Sequence, residues 1–209
     1  MQVGDVLLLP PGCLSGTDPP WRQMGMELWK AVVDAANRTT AAAAAAPGAD
    51  PDSMHSAAAY GVASPGWVIV RQNGITQAFD ITRVMFSQGN ISEKLRMAVL
   101  PCEGEIVVDL FAGIGYYTLP FLVHAGACHV HACEWNPDSV YCLRHNLKAN
   151  GVDARCTVYA EDNALAAPRV GRVADRVCLG LLPQSEDAWG LAAAVLRPEG
   201  GWCHVHGNV

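Results

Sequence analysis

No stretch of this chain approaches the about 18 consecutive apolar residues that a membrane-crossing helix needs, and no secretory leader is visible, so a soluble, cytoplasmic protein with no membrane partner is expected. Positive charge is scarce: 14 Lys and Arg stand against 20 Asp and Glu, a net charge of −6. That balance excludes binding to nucleic acid through overall charge and leaves only local basic clusters for phosphate contacts. The eight cysteines never form a C-x-x-C pair, which removes the strongest zinc and redox patterns. Several fall in predicted strands or helices, so reduced, mostly buried thiols are expected. His129 with His131 and His204 with His206 would each share a strand face, but companion ligands are missing and no metal is expected. What remains is 209 residues with 51% hydrophobic content, enough for one full domain core and a small N-terminal element.

Residues 106–116, IVVDLFAGIGY, are the most informative segment. Residues 106–111 are β-branched or bulky enough for a strand that is apolar on both faces, as in a parallel sheet. Gly113 and Gly115 then let the backbone turn sharply and come close to a ligand. A dinucleotide fold wants G-x-G-x-x-G, whereas here the third position is Thr118. Asp109, just ahead of the turn, would repel a pyrophosphate but can orient water or an ammonium group. A nucleoside cofactor without a charged linker fits better than NAD; a ligand-free βα turn is the plain alternative.

The following segments repeat the strand-then-acid pattern. Residues 128–133 read as a second strand that delivers Glu134, placed to accept both ribose hydroxyls. Asn136 suits an N-cap, Pro137 the first helical position and Asp138 the positive end of the dipole, while Asn150 and Gly151 close the helix. A third strand at 155–160 brings Asp162 and Asn163 to the same edge, a carboxylate acceptor and an amide donor suited to an adenine. Strand four is expected at 175–181, a helix at about 185–196 and strand five at 201–206. The fold class is therefore α/β, a Rossmann-like sheet. Trp135 and Trp189 can stack a base, against the commoner role of tryptophan as core.

These motifs resemble the class I S-adenosylmethionine-dependent transferases. With MFSQGNISEKLRMA at 85–98 and DRVCLGLLPQSEDAW at 175–189, the resemblance extends to the tRNA wybutosine-synthesizing protein 2 family. That family is related to the methyltransferases that modify the guanosine after the anticodon. The match covers roughly residues 66–209 and implies transfer of a 3-amino-3-carboxypropyl group to carbon seven of 4-demethylwyosine in phenylalanine tRNA, in the anticodon arm. By motif position it implies that Ser87, Lys94, Asp109, Ala112, Gly113 and Gly115 hold S-adenosylmethionine, with Glu134 on its ribose and Asp162 and Asn163 on its adenine. Lys94 would neutralise a phosphate or the cofactor carboxylate, unless it is a solvated helix lysine. Arg83 and Arg96 join Lys94 as a local basic cluster for the substrate, with Pro183 in the loop after strand four.

Methyltransferases acting on exocyclic base amines usually place a polar residue before Pro-Pro in that loop. Gly180, Leu181, Leu182 and Pro183 are nonpolar, which suits an apolar tricyclic base. No residue is expected to form a covalent intermediate, so no catalytic nucleophile or base is assigned. Two other readings remain: a tRNA guanosine ring-nitrogen methyltransferase, and a non-catalytic relic that binds cofactor or RNA. Ahead of the cofactor domain at 85–209, residues 1–84 read as an α+β element. It has a strand at 5–10, a helix at 24–36, a flexible alanine-rich insertion at about 39–65 and a hairpin at 66–81 turning on Asn73 and Gly74. The chain stops just after strand five, so it reads as C-terminally truncated, with further tRNA contacts expected in the missing part.

Overall fold

The computed structural model describes residues 2–3, 6–7, 66–87 and 90–207. The expected helix at 24–36 and the alanine-rich insertion lie outside these residues. The described residues divide between two units, one drawn from Met1–Val70 and Asp80–Thr82, the other from Arg71–Phe79 and Arg83–Val209. Near the N-terminus, Gln2–Val3 (β1) and Val6–Leu7 (β2) pair antiparallel. The expected hairpin is present as Trp67–Gln72 (β3) and Ile75–Asp80 (β4). Asn73 and Gly74 at its tip have φ of 49° and 71°, the left-handed pair that a two-residue hairpin loop requires.

The larger unit is built on five parallel strands: Ile106–Asp109 (β5), His129–Cys133 (β6), Cys156–Tyr159 (β7), Arg176–Leu179 (β8) and Trp202–Val205 (β9). Their order across the sheet is β7-β6-β5-β8-β9. Each strand is shorter than expected by one to three residues. Beyond Asp109 the chain leaves the ladder for the turn, although Leu110 N still donates to Cys178 O at 3.0 Å and Ala112 N to Cys133 O at 3.0 Å. Arg155 lies in a 3₁₀ turn, Asp153–Arg155, and its guanidinium donates to Leu122 O and Ala127 O instead of joining β7.

Helices cover both faces: Ile91–Ala98 (α1), Thr118–Val123 (α2), Pro137–Ala149 (α3), Asn163–Val170 (α4) and Trp189–Val195 (α5). The period of two along β5 sends neighbours to opposite sides. Val107 joins Leu119, Phe121, Leu143 and Leu147 in one core, while Val108 joins Ala166, Val170, Ala192 and Val195 in the other. This double winding reverses direction between β5 and β8, so a crevice opens beyond the carboxyl ends of the strands. The helix expected at 185–196 begins as a 3₁₀ turn, Glu186–Ala188, before α5.

The hairpin's second strand is tied to α3 by two asparagines one turn apart. Asn146 Oδ1 accepts from Ala78 N at 2.6 Å, and its amide donates to Ile114 O at 3.0 Å. Asn150 accepts from Thr76 N at 2.9 Å and donates to Thr76 O at 2.7 Å. Four helical residues rise about 6 Å and two strand residues about 6.6 Å, so i, i+4 amides match i, i+2 backbone groups. The side chains thus act as a second strand for the hairpin edge.

Candidate functional site

The glycine turn shows why its third glycine is absent. Asp109 ends β5 fully buried, accepting from Thr118 Oγ1 at 2.8 Å and from Phe111 N at 3.3 Å. Thr118 supplies the donor that a glycine lacks, and Asp109 closes the turn from inside. Burial pushes its carboxyl up to about 6, against the two hydrogen bonds. An acid whose folded value is raised binds more protons folded than unfolded, so stability falls as pH rises from about 4 through 6. Asp109→Asn should flatten that part of the stability profile by roughly 3 kcal/mol. Denaturant titrations of both proteins across this pH range check it; His204, held down to about 4 by burial and by Arg176, acts oppositely in both and cancels in the difference.

Ala112 is buried, and its carbonyl accepts from Gly115 N at 2.9 Å and Tyr116 N at 3.4 Å. Gly113 and Gly115 take φ of 55° and 101°. Glu134 meets this turn from the end of β6: Oε2 accepts from Gly113 N at 2.8 Å and Oε1 from Asn136 N at 2.7 Å. Each carboxylate oxygen therefore has one backbone donor and a lone pair left for a further hydroxyl. The helix start is as expected, with Asn136 capping Asp138 N at 3.0 Å ahead of Pro137.

Asp162 and Asn163 sit at the end of β7, and both have structural partners. Asp162 is the N-cap of α4, accepting from Ala164 N at 2.8 Å, and Asn163 donates through its amide to Leu110 O at 3.1 Å. One amide hydrogen of Asn163 thus secures the turn, leaving its second hydrogen and its oxygen for a ligand. Trp135 is 72% exposed beside Glu134 and Trp189 is 50% exposed, so neither is the core residue that tryptophan usually is.

On the α1 side, Ser87 N donates to Tyr116 Oη at 3.3 Å, and that hydroxyl donates to Met85 O. Lys94 is only 7% exposed and its Nζ has no partner. It lies 5.1 Å from the ring centroids of Phe86 and of Tyr116, and burial lowers it to about 8. The solvated-lysine alternative is thereby overturned: a cation without a hydrogen-bond partner borders a shallow cleft shared with Gln72, Ile91 and Pro120. Arg83 and Arg96 do not join it as a free basic cluster. Arg83 pairs with Asp138 at 3.3 Å, and Arg96 grips Glu93 at 2.9 and 2.6 Å. Pro183 lies in a loop with Leu181 and Leu182 exposed, while a Cβ on Gly180 would stand 2.8 Å from the Tyr117 ring.

Among the described residues no group of His, Cys, Asp and Glu is placed to hold a metal ion. His129 bonds Thr157 and His131 bonds Tyr159, each at the neighbouring strand. The described cysteines are free thiols, four of them buried.

Residues 68–209 match the TRM5/TYW2 methyltransferase domain. The chain belongs to this family. Within it, the tRNA wybutosine-synthesizing protein 2 homolog of Bos taurus is 49% identical over 208 residues, 99% of this chain and 46% of that protein. The tRNA wybutosine-synthesizing protein 2/3/4 of Arabidopsis thaliana is 49% identical over 210 residues, 100% of this chain and 20% of that protein. The chain thus spans under half the length of these curated relatives. The crystal structure of M. jannaschii TYW2 in complex with AdoMet superposes with a TM-score of 0.59 at 33% identity, over 63% of this chain and 59% of that one. A solved tRNA m1G37 methyltransferase from M. jannaschii, at 23% identity and a TM-score of 0.57, shares the fold. Sequence reasoning assigned no such site contact to Thr118, Tyr116, Tyr117, Glu93 or His206. A hydroxyl at the third glycine position beside a buried acid was a readable signal for Thr118; the other four act through contacts distant in sequence.

Proposed function

We propose that this chain carries the cofactor-binding part of a tRNA-modifying transferase, one that moves the 3-amino-3-carboxypropyl group of S-adenosylmethionine to carbon seven of 4-demethylwyosine in phenylalanine tRNA. The observation that carries the cofactor is Glu134, an acid at the end of the second strand, oriented by two backbone amides with a lone pair free on each oxygen. The choice of reaction is supported by whole-chain identity near 49% to proteins named for wybutosine synthesis. A cytoplasmic setting goes with free thiols.

When bound, the cofactor supplies a sulfonium that activates its attached carbons toward nucleophiles. The chain's own residues then bind, orient and exclude water. Glu134 accepts the ribose hydroxyls, and Asp162 with Asn163 borders the adenine. Ser87 and Lys94 flank the amino-acid chain, where the unpaired ammonium offers a counter-charge to a carboxylate. Gly113 and Gly115 allow close backbone approach. Leu181, Leu182 and Pro183 present an apolar surface on which a tricyclic base can lie, and Arg83 and Arg96 border the anticodon arm. Positioning alone decides which carbon meets the acceptor at about 3 to 3.5 Å.

The test uses S-adenosylmethionine labelled separately in its methyl and carboxypropyl groups, with phenylalanine tRNA carrying 4-demethylwyosine. Carboxypropyl label in tRNA with release of methylthioadenosine is expected. Methyl label entering a parallel tRNA whose guanosine after the anticodon is unmodified would instead establish a guanosine ring-nitrogen methyltransferase, and absence of cofactor heat in calorimetry would favour a non-catalytic relic.

A further inference from the structure

Neighbouring residues on α1 do opposite things. Lys94 points inward over Phe86 and Tyr116 without a partner, while Glu93, about 100° round the helix, meets the far end of the chain. Glu93 Oε1 accepts from Arg96 Nη2 at 2.6 Å and lies 2.8 Å from His206 Nε2. His206 follows β9; its backbone N donates to Leu179 O at 3.2 Å, and its Nδ1 lies 3.1 Å from the same carbonyl. Both ring nitrogens thus face acceptors. The ring also stacks on Tyr117, with centroids 4.6 Å apart and planes 10° apart. Tyr116 and Tyr117, consecutive in the glycine turn, therefore meet Lys94 and His206 respectively.

We infer that Glu93 and His206 form a clasp that holds α1 against the carboxyl ends of β8 and β9, and so positions Lys94 over the Phe86 and Tyr116 rings. An unpaired buried ammonium favours any motion that returns it to water. Nothing polar holds Lys94 itself, so the restraint must act through its helix. The clasp is the charged contact that α1 makes with the strand ends, and its acid is ionised under working conditions: Arg96 and His206 draw Glu93 down to about 2 despite its partial burial. Glu93 and His206 are positioning residues, and their importance to catalysis rests on the cofactor role proposed for Lys94.

The test compares acetylation of Lys94 with that of exposed Lys148, by peptide mass spectrometry, in the intact chain and in His206→Ala and His206→Gln. Loss of a hydrogen bond to a charged group makes Lys94 in His206→Ala react about tenfold faster, with Lys148 unchanged and S-adenosylmethionine bound about tenfold more weakly. His206→Gln, whose amide can donate to Glu93, should stay near the parent in both. An unchanged Lys94 rate in His206→Ala, or an equal rise in His206→Gln, overturns the clasp. If His206→Ala does not fold, Glu93→Ala, which removes the acceptor altogether, replaces it, with a faster Lys94 expected and an unchanged rate again decisive. A parent chain that binds no S-adenosylmethionine sinks the proposed function, while the acetylation pattern still decides the clasp.

Discussion

Replacing Glu134 with alanine is expected to weaken S-adenosylmethionine binding about a hundredfold, the equivalent of roughly 3 kcal/mol, in isothermal titration calorimetry. Two losses combine. The carboxylate's free lone pairs would accept two ribose hydroxyls, and hydrogen bonds to a charged group contribute about 1.5 to 3 kcal/mol each. The same carboxylate binds Gly113 N and Asn136 N, so its removal also loosens the turn that must come close to the cofactor. Glu134→Gln separates the two. Its amide must present N–H to one of these backbone donors, so it keeps the shape but loses one strap, and an intermediate loss of about tenfold is expected. An alanine variant that binds within twofold of the parent would remove Glu134 from the site.

Local features of this fold were readable because their physics is local. Asn136 followed by Pro137, and Asn73 followed by Gly74, fix a helix start and a hairpin turn within a few residues, and both stand as expected. The first three strands of the sheet and their acids were equally plain, since each is a short apolar run leading to Asp109, Glu134 or Asp162 with Asn163. Strand ends were less plain. Leu110 and Phe111 continue the apolar run of β5, yet they line the turn, because burial alone does not distinguish a ladder from a packed loop.

The unreadable features are long-range. Asn146 looked like an ordinary polar position of α3 and Asn150 like the residue that closes it, but they satisfy backbone groups 68 and 74 residues away. Lys94 shares the helix face of Met97 and Ala98, but that the rings of Phe86 and Tyr116 lie against its ammonium was not legible in the sequence. Glu93 and His206 are 113 residues apart and share no motif. Arg83 and Arg96 were grouped with Lys94 by proximity in sequence, whereas Asp138 and Glu93 pair them separately.

Gly115→Val should be the most destabilising single change in the turn, lowering stability by about 4 kcal/mol in urea denaturation. Its φ of 101° lies in a region that a β-branched residue avoids, which alone costs about 1 to 3 kcal/mol. Any Cβ there would also stand 3.0 Å from Leu119 and 3.1 Å from Leu143, both fully buried, so overpacking adds a similar amount. Gly113→Ala is the contrasting case. At φ 55° it enters the left-handed region that other residues tolerate for about 1 to 2 kcal/mol, and its nearest neighbour is the edge of Tyr116 at 3.1 Å. That variant should remain folded while adding a methyl group beside the amide that Glu134 holds. If the turn is a cofactor surface, Gly113→Ala must lower S-adenosylmethionine affinity more than it lowers stability, and Gly115→Val must do the reverse. Equal affinity in Gly113→Ala and the parent would make the turn a packing device alone.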